Sequence, residues 1–159
     1  MRAERDCSLP RADRSGATTV ELAIVLPVFL IFLFALFEFG HAFMCKATLT
    51  AAAKDAARYG AVDKITTAQV IDRAKQRVSG AFKSAQATVY VKNAAVFELA
   101  ATNPATVVIK DLPNISLETA EERQLFIVRV EVPYNNIAIM PPLWAKNLTL
   151  HAESVMRHE

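Results

Sequence analysis

Glycine is scarce in this chain, with four residues among 159, and no glycine-rich loop able to cradle a phosphate can be assembled from them. The three histidines, His41, His151 and His158, stand far apart, and no Cys, His, Asp or Glu spacing matches a metal site. Serines lack a nucleophile-elbow setting. These absences weigh against an enzyme, and no cofactor or metal is expected. Cysteine is limited to Cys7 and Cys45, which lie on opposite sides of a long apolar run and so do not pair within one chain. Cys45 then reads as a free buried thiol or as half of an intermolecular bridge in an oxidising compartment. A formal charge of +2, with lysines and arginines scattered rather than striped, gives no footprint for nucleic acid.

The longest absence is of charge. From Leu22 to Phe37 there is none, and Pro27 is the only residue unfriendly to a helix. As a helix this run covers about 24 Å, just short of a bilayer core of about 30 Å. Adding Ala17 to Val20 and Phe39 to Cys45 closes the gap if Glu21 and Glu38 sit near the two interfaces. Thirteen Leu, Ile, Val and Phe residues in the run contribute about −4 to −8 kcal/mol on an insertion scale, and neither acid is central enough to oppose them. A cleavable secretory signal would be shorter and end in a small-x-small site, whereas Phe37-Glu38-Phe39-Gly40-His41 follows here. A buried core helix would alternate with a polar face, and this run is apolar all round. The membrane helix is the favoured reading. Before it, Arg2, Arg5, Arg11 and Arg14 alternate with Glu4, Asp6 and Asp13, favouring a cytoplasmic amino terminus, a bias reduced by Lys46, Lys54 and Arg58 beyond the run. Pro10 and Ser15 argue against helix before the junction.

At that junction Gly16 is followed by Ala17, two threonines, Val20 and Glu21, an acid at the fifth position after the glycine. This resembles the processing site of type IV prepilins, in which a membrane aspartyl peptidase cuts after the glycine and methylates the new amino terminus. The resemblance implies a cut between Gly16 and Ala17, and a pairing of Glu21 with the amino-terminal amine of a neighbouring subunit. The plainer reading is a glycine that happens to precede a helix and an acid favoured by the dipole in its first turn. A wider stretch, GATTVELAIVLPVFLIFLFALFEFG with its continuation to AAAKDAARYG, resembles the TadE-like family of pilus-assembly proteins, which carry G-A-x-x-V-E, L-P, E-F-G and A-A-R-x-[GA]. The closing LTLHAESVMRHE is similar to the end of that family. The match implies a pilin-like fold, a location in a bacterial inner membrane, and as partners a prepilin peptidase, other pseudopilins and pilus-assembly proteins, as a homo- or hetero-oligomer.

Past Met44 the helix is expected to continue to a stop at Gly60, with Lys46, Thr50, Lys54 and Arg58 on one side and Leu49, Ala52, Ala56 and Tyr59 on another. This small-residue face suits contact with its own domain or with a neighbouring helix. Glu38 and His41, three residues apart, are expected to pair at the membrane edge. A second helix is expected from Thr66 or Thr67, where Thr66 and Gln69 have the capping-box pattern, with Val70, Ile71, Ala74, Val78 and Phe82 on one face and an end near Gly80. The period then changes to two. ATVYV, AVFEL and TVVIK read as short strands, Gln124 to Val132 alternates Phe126, Val128, Val130 and Val132 inward with Arg129 and Glu131 outward, and a last strand covers Leu148 to Met156. The apolar loop Tyr134 to Trp144 is expected to fold over its own helix and close the core, with Trp144 buried, in preference to the alternative of a membrane-surface or partner contact.

The fold class expected is α+β, a long membrane-spanning helix and a short second helix with an antiparallel sheet. Residues 1–16 form a cleaved leader, 17–60 the helix with its transmembrane part at about 20–44, and 61–159 a periplasmic domain of ordinary size. Two function classes follow. One is a minor pseudopilin or assembly factor of a tight-adherence pilus; the other is an unprocessed, signal-anchored periplasmic binding or scaffold module.

Overall fold

A computed structural model of the chain describes residues 15–99 and 103–159. Most of the expected leader, with Cys7 and Pro10, lies outside the described residues. Helix α1 runs from Ser15 to Gly60 with Pro27 inside it. The described residues fall into two units, one ending at Leu36 and the other running from Phe37 to Glu159. In the first, Val20, Leu22, Ile24, Val28, Ile31 and Phe32 are all exposed, so the helix has no polar side on which to meet water. It is long and apolar enough to cross a membrane, where Pro27 is tolerated more readily than in a soluble helix.

The second unit packs two helices on a sheet. From Ala42 onward one face of α1 is buried through Cys45, Leu49, Ala52, Ala53, Ala56 and Ala57. Alanine at these positions keeps helix propensity high and lets neighbouring backbone come close. The small-residue face therefore serves its own domain, and Cys45 is a free, buried thiol within it. Helix α2, Thr67–Val78, begins with the expected capping box. Thr66 Oγ1 accepts the Gln69 N–H at 3.2 Å and the Gln69 side chain accepts the Thr66 N–H at 2.9 Å. Val70, Ala74 and Val78, spaced by four, form its buried stripe, and it ends at Val78, two residues before Gly80.

Strands β1 (Thr88–Asn93), β2 (Leu125–Pro133) and β3 (Thr149–Arg157) form an antiparallel sheet in the order β1-β2-β3. The register aligns Val91 with Val128, Val130 with Ala152, and Val132 with Leu150, which places one apolar face toward the helices. Phe126, Val128, Val130 and Val132 are fully buried, as the alternation requires.

The second face of the sheet corrects the reading of AVFEL and TVVIK as strands. Ala95–Glu98 and Ile109–Asp111 are single 3₁₀ turns. The side chain of Asn93 accepts the Ala95 N–H at 2.8 Å and turns the chain out of β1 immediately after the strand. The apolar residues of these segments are instead a cover. Ala94 and Ile109, with Phe97 and Leu112, pack on Ile127, whose side chain points away from the helices. Beside them Lys110 Nζ lies 2.8 Å from Glu131, Arg129 Nε lies 3.2 Å from the same carboxylate, and Arg129 also pairs with Glu153. Glu131 faces outward as expected, yet it is buried beneath this cluster.

Burial alone would raise the Glu131 carboxyl, but hydrogen bonds and charge from Lys110 and Arg129 outweigh it and hold the group below the ordinary carboxylate value. With the lower value in the folded state, its stabilisation is complete above the unfolded carboxylate range and is lost as pH falls through the folded one. Glu131→Gln is accordingly expected to lower the melting temperature at neutral pH and to flatten its fall on acidification. Melting curves of both proteins across the acid range check this, with the difference between them shrinking toward low pH.

Gly60 closes α1 where three elements meet. A Cβ there would lie 2.8 Å from Val70 Cγ2, 3.2 Å from Leu117 Cδ1 and 3.3 Å from Phe126. Val70 has a stiff β-branched side chain and all three neighbours are core residues, so little can yield. Gly60→Ala is expected to destabilise the domain by about 1 to 3 kcal/mol despite its better helix propensity. Thermal melting in detergent checks the sign. The chain past β3 is tied to the same place: His158 Nδ1 lies 3.3 Å from the Gly60 carbonyl, and the Glu159 N–H donates to the Ala61 carbonyl at 2.8 Å. Residues of the MRHE segment thus satisfy carbonyl groups at the end of α1 that the helix itself leaves open.

Candidate functional site

Two places on α1 carry the residues singled out by sequence. The first is the junction. Ser15 is the first residue of α1 and Gly16 the second, which corrects the reading of Ser15 as a residue against helix, since serine is favoured at a helix start. Gly16 is exposed, and a Cβ added to it would meet nothing within 4 Å. Among the described residues, neither packing nor a positive φ asks for glycine there. Ala17 follows in the same turn, and Glu21 is exposed on the next one. The first turn of α1 contains no acid. The dipole explanation for Glu21 therefore needs correction, since that effect fades beyond the first turn.

The second place lies at the start of the folded unit. Glu38 is buried, 7% exposed, and its carboxylate is gripped by three successive backbone amides. Oε2 accepts the Leu143 N–H at 3.1 Å and the Trp144 N–H at 3.3 Å, while Oε1 accepts Trp144 at 3.1 Å and Ala145 at 2.6 Å. Converging amides of this kind form a concave anion seat. Short helix α3, Tyr134–Ile137, holds the other side. The buried Tyr134 hydroxyl donates to the Glu38 carbonyl at 3.0 Å, and His41 Nδ1 lies 3.2 Å from the Tyr134 hydroxyl oxygen. With the single phenolic proton committed to Glu38, His41 Nδ1 must be the donor to Tyr134. Its Nε2 lies 3.5 Å from Cys45 Sγ. Burial, then the neighbouring Glu38 charge, push the Tyr134 hydroxyl upward in pKa, so it stays a donor.

Glu38 and His41 thus receive separate partners and meet through Tyr134, in place of the direct pair expected from their spacing. The sequence carried only the general signal that an acid ending an apolar run must find donors if buried. That those donors would be amides of Leu143 to Ala145, more than a hundred residues away, had no local mark. The loop does fold over its own helix, with Tyr134, Ile137 and Ala145 buried. Trp144, however, is 45% exposed, which corrects its expected burial. Its amide is used by the clasp and its ring is not used by the core, so the full loss expected for removing a buried aromatic does not apply to Trp144→Ala.

Glu38→Gln is expected to be nearly as damaging as Glu38→Ala. An amide nitrogen in place of either oxygen would face N–H donors where an acceptor is needed. Both variants should lower the melting temperature and speed hydrogen exchange at Leu143, Trp144 and Ala145. Unchanged exchange at these amides in Glu38→Ala would show that the clasp does not hold the loop.

Surface hollows along α2 are lined by Tyr59, Gln69, Asp72, Arg73 and Gln76, and by Asp55, Arg77 and Ser79. Arg73 bonds Asp55 at 2.9 Å between them, as an exposed surface pair. Among the described residues, no group of three His, Cys, Asp or Glu side chains is placed to hold a metal ion. A family model described as TadE-like protein matches residues 16–58, the segment that begins at Gly16 and includes Glu21, Glu38, His41 and the alanine face. No curated protein and no solved structure matches the chain.

Proposed function

From the TadE-like match over residues 16–58, which implies involvement in tight-adherence pilus assembly, we propose that the chain is a minor pseudopilin or assembly factor of such a pilus. In this reading residues 1–16 are a cytoplasmic leader removed by a prepilin peptidase. Residues 17–60 form the helix, crossing the bacterial inner membrane at about 20–44, and 61–159 form the periplasmic domain. The observation that carries it is the junction: Gly16 is an exposed glycine against which no described residue packs, at the mouth of an apolar helix, with Glu21 five positions on. The role is one of structure and interaction, with other pseudopilins or further copies of the chain as partners.

One observation favours the alternative, an unprocessed, signal-anchored periplasmic binding or scaffold module. Gly16 and Ala17 both lie within α1, and a protease needs that turn opened into an extended strand. Helix ends fray, and glycine weakens this one further, so the opening is small. Deleting the gene and restoring it on a plasmid separates the two readings. Loss of tight-adherence pili on deletion and their return on complementation support the pilus role. Normal piliation in the deletion strain would overturn it.

A further inference from the structure

Large apolar side chains stand uncovered around the Glu38 clasp. On the loop, Ile139 is 79% and Leu143 67% exposed, beside the half-exposed Trp144. On α1, Phe39, Phe43 and Met44 are exposed while Glu38, Ala42 and Cys45 face the domain. Such a cluster is unfavourable in water, and ordinary loops reduce the cost by collapsing onto the core. Tyr134 and Ile137 do pack into the core, but the stretch from Ile139 to Trp144 is held from doing so. Pro141 and Pro142 stiffen it, and three amides fix it to Glu38.

The clasp also sets the level of the loop on the helix. Glu38 is the first residue after the charge-free run Leu22–Phe37, and the Trp144 amide lies 3.1 Å from its carboxylate. Trp144 therefore sits where an apolar helix would leave the hydrocarbon, the depth tryptophan prefers. Exposed Lys146 follows two residues later, suited to lipid phosphates. Within the same unit as the loop, Phe39, Phe43 and Met44 add exposed apolar side chains on the part of α1 just past that run. We propose that residues 138–145 are a membrane-seating loop, inserted at the boundary between headgroups and acyl chains of the bilayer that α1 crosses, with Ile139, Leu143 and Trp144 as its anchors. The occupant of this surface is lipid. The proposal rests on the membrane reading of α1, and the test separates the two.

Trp144 is the only tryptophan in the chain, so its emission reports on the loop alone. The full-length protein is reconstituted into vesicles of phosphatidylethanolamine and phosphatidylglycerol containing lipids brominated either near the headgroup or near the acyl-chain end. A second protein, Phe29→Trp combined with Trp144→Phe, places the probe in the middle of the apolar run. Trp144 is expected to lose more of its emission to the shallow bromines than to the deep ones; Trp at position 29 should show the reverse order. Quenching at position 29 with none at Trp144 overturns the seating loop, and leaves that surface to water, if iodide reaches Trp144, or to another protein, if it does not. Absence of quenching at both positions overturns the seating loop and the membrane reading together.

Discussion

Gly16→Val, co-expressed with a prepilin peptidase, is expected to remain at full length while the wild-type chain is shortened at Gly16. An extended, protease-bound strand accepts glycine without a side chain to exclude, and a β-branched residue at the cut brings bulk next to the scissile bond. The usual objection to such a variant is misfolding. It does not apply here, because a Cβ at position 16 meets nothing within 4 Å, and valine is at least as good a helix former as glycine. The folded domain begins beyond this segment, in the unit from Phe37 to Glu159, and its melting temperature should be unchanged. Cleavage of the variant at the wild-type rate, read on a gel over a time course, would remove the argument that Gly16 is there for the peptidase.

Glu21→Gln is expected to leave cleavage and membrane insertion normal while abolishing pilus assembly. After the cut, Ala17 would carry a free amine four residues from Glu21. Drawing such helices together desolvates both groups, and a lone charge in that setting costs several kcal/mol unless it is paired. Glutamine keeps the shape and loses the charge, leaving the amine of a neighbouring subunit without its partner. The competing account, a helix-dipole contribution of about 0.3 to 1 kcal/mol, predicts almost no change. Glu21 lies beyond the first turn of α1, where even this contribution fades. Full piliation by a strain whose only copy carries Glu21→Gln would exclude the pairing role.

The elements legible in the sequence were those governed by local rules. Continuous apolarity from Leu22 to Phe37 marked the long helix, though not its start at Ser15; the Thr66 and Gln69 pair marked the start of α2, and the alternation of Phe126, Val128, Val130 and Val132 marked β2. What was misread depended on contacts between distant segments. AVFEL and TVVIK have strand composition because Ile109 and its neighbours must cover Ile127, a demand of the sheet's second face that no short window contains. The partner of Glu38 was hidden for the same reason. An acid can announce that it needs donors, but backbone amides carry no residue signature, so Leu143 to Ala145 could not be found by type. Trp144 misled in the opposite direction: a large aromatic suggests burial, and here only its main chain is engaged.

Processing at the Gly16–Ala17 bond is the claim on which the pilus reading turns, because it separates a pseudopilin from an anchor that keeps its leader. The direct measurement is the amino-terminal sequence and intact mass of the protein extracted from the membrane of its own cells. Hydrolysis at this bond leaves a new amine on Ala17 and shortens the chain by sixteen residues. A terminus at Ala17 is expected, with the mass of one added methyl group on that amine. An intact leader, with residues 1–16 still attached, would contradict it.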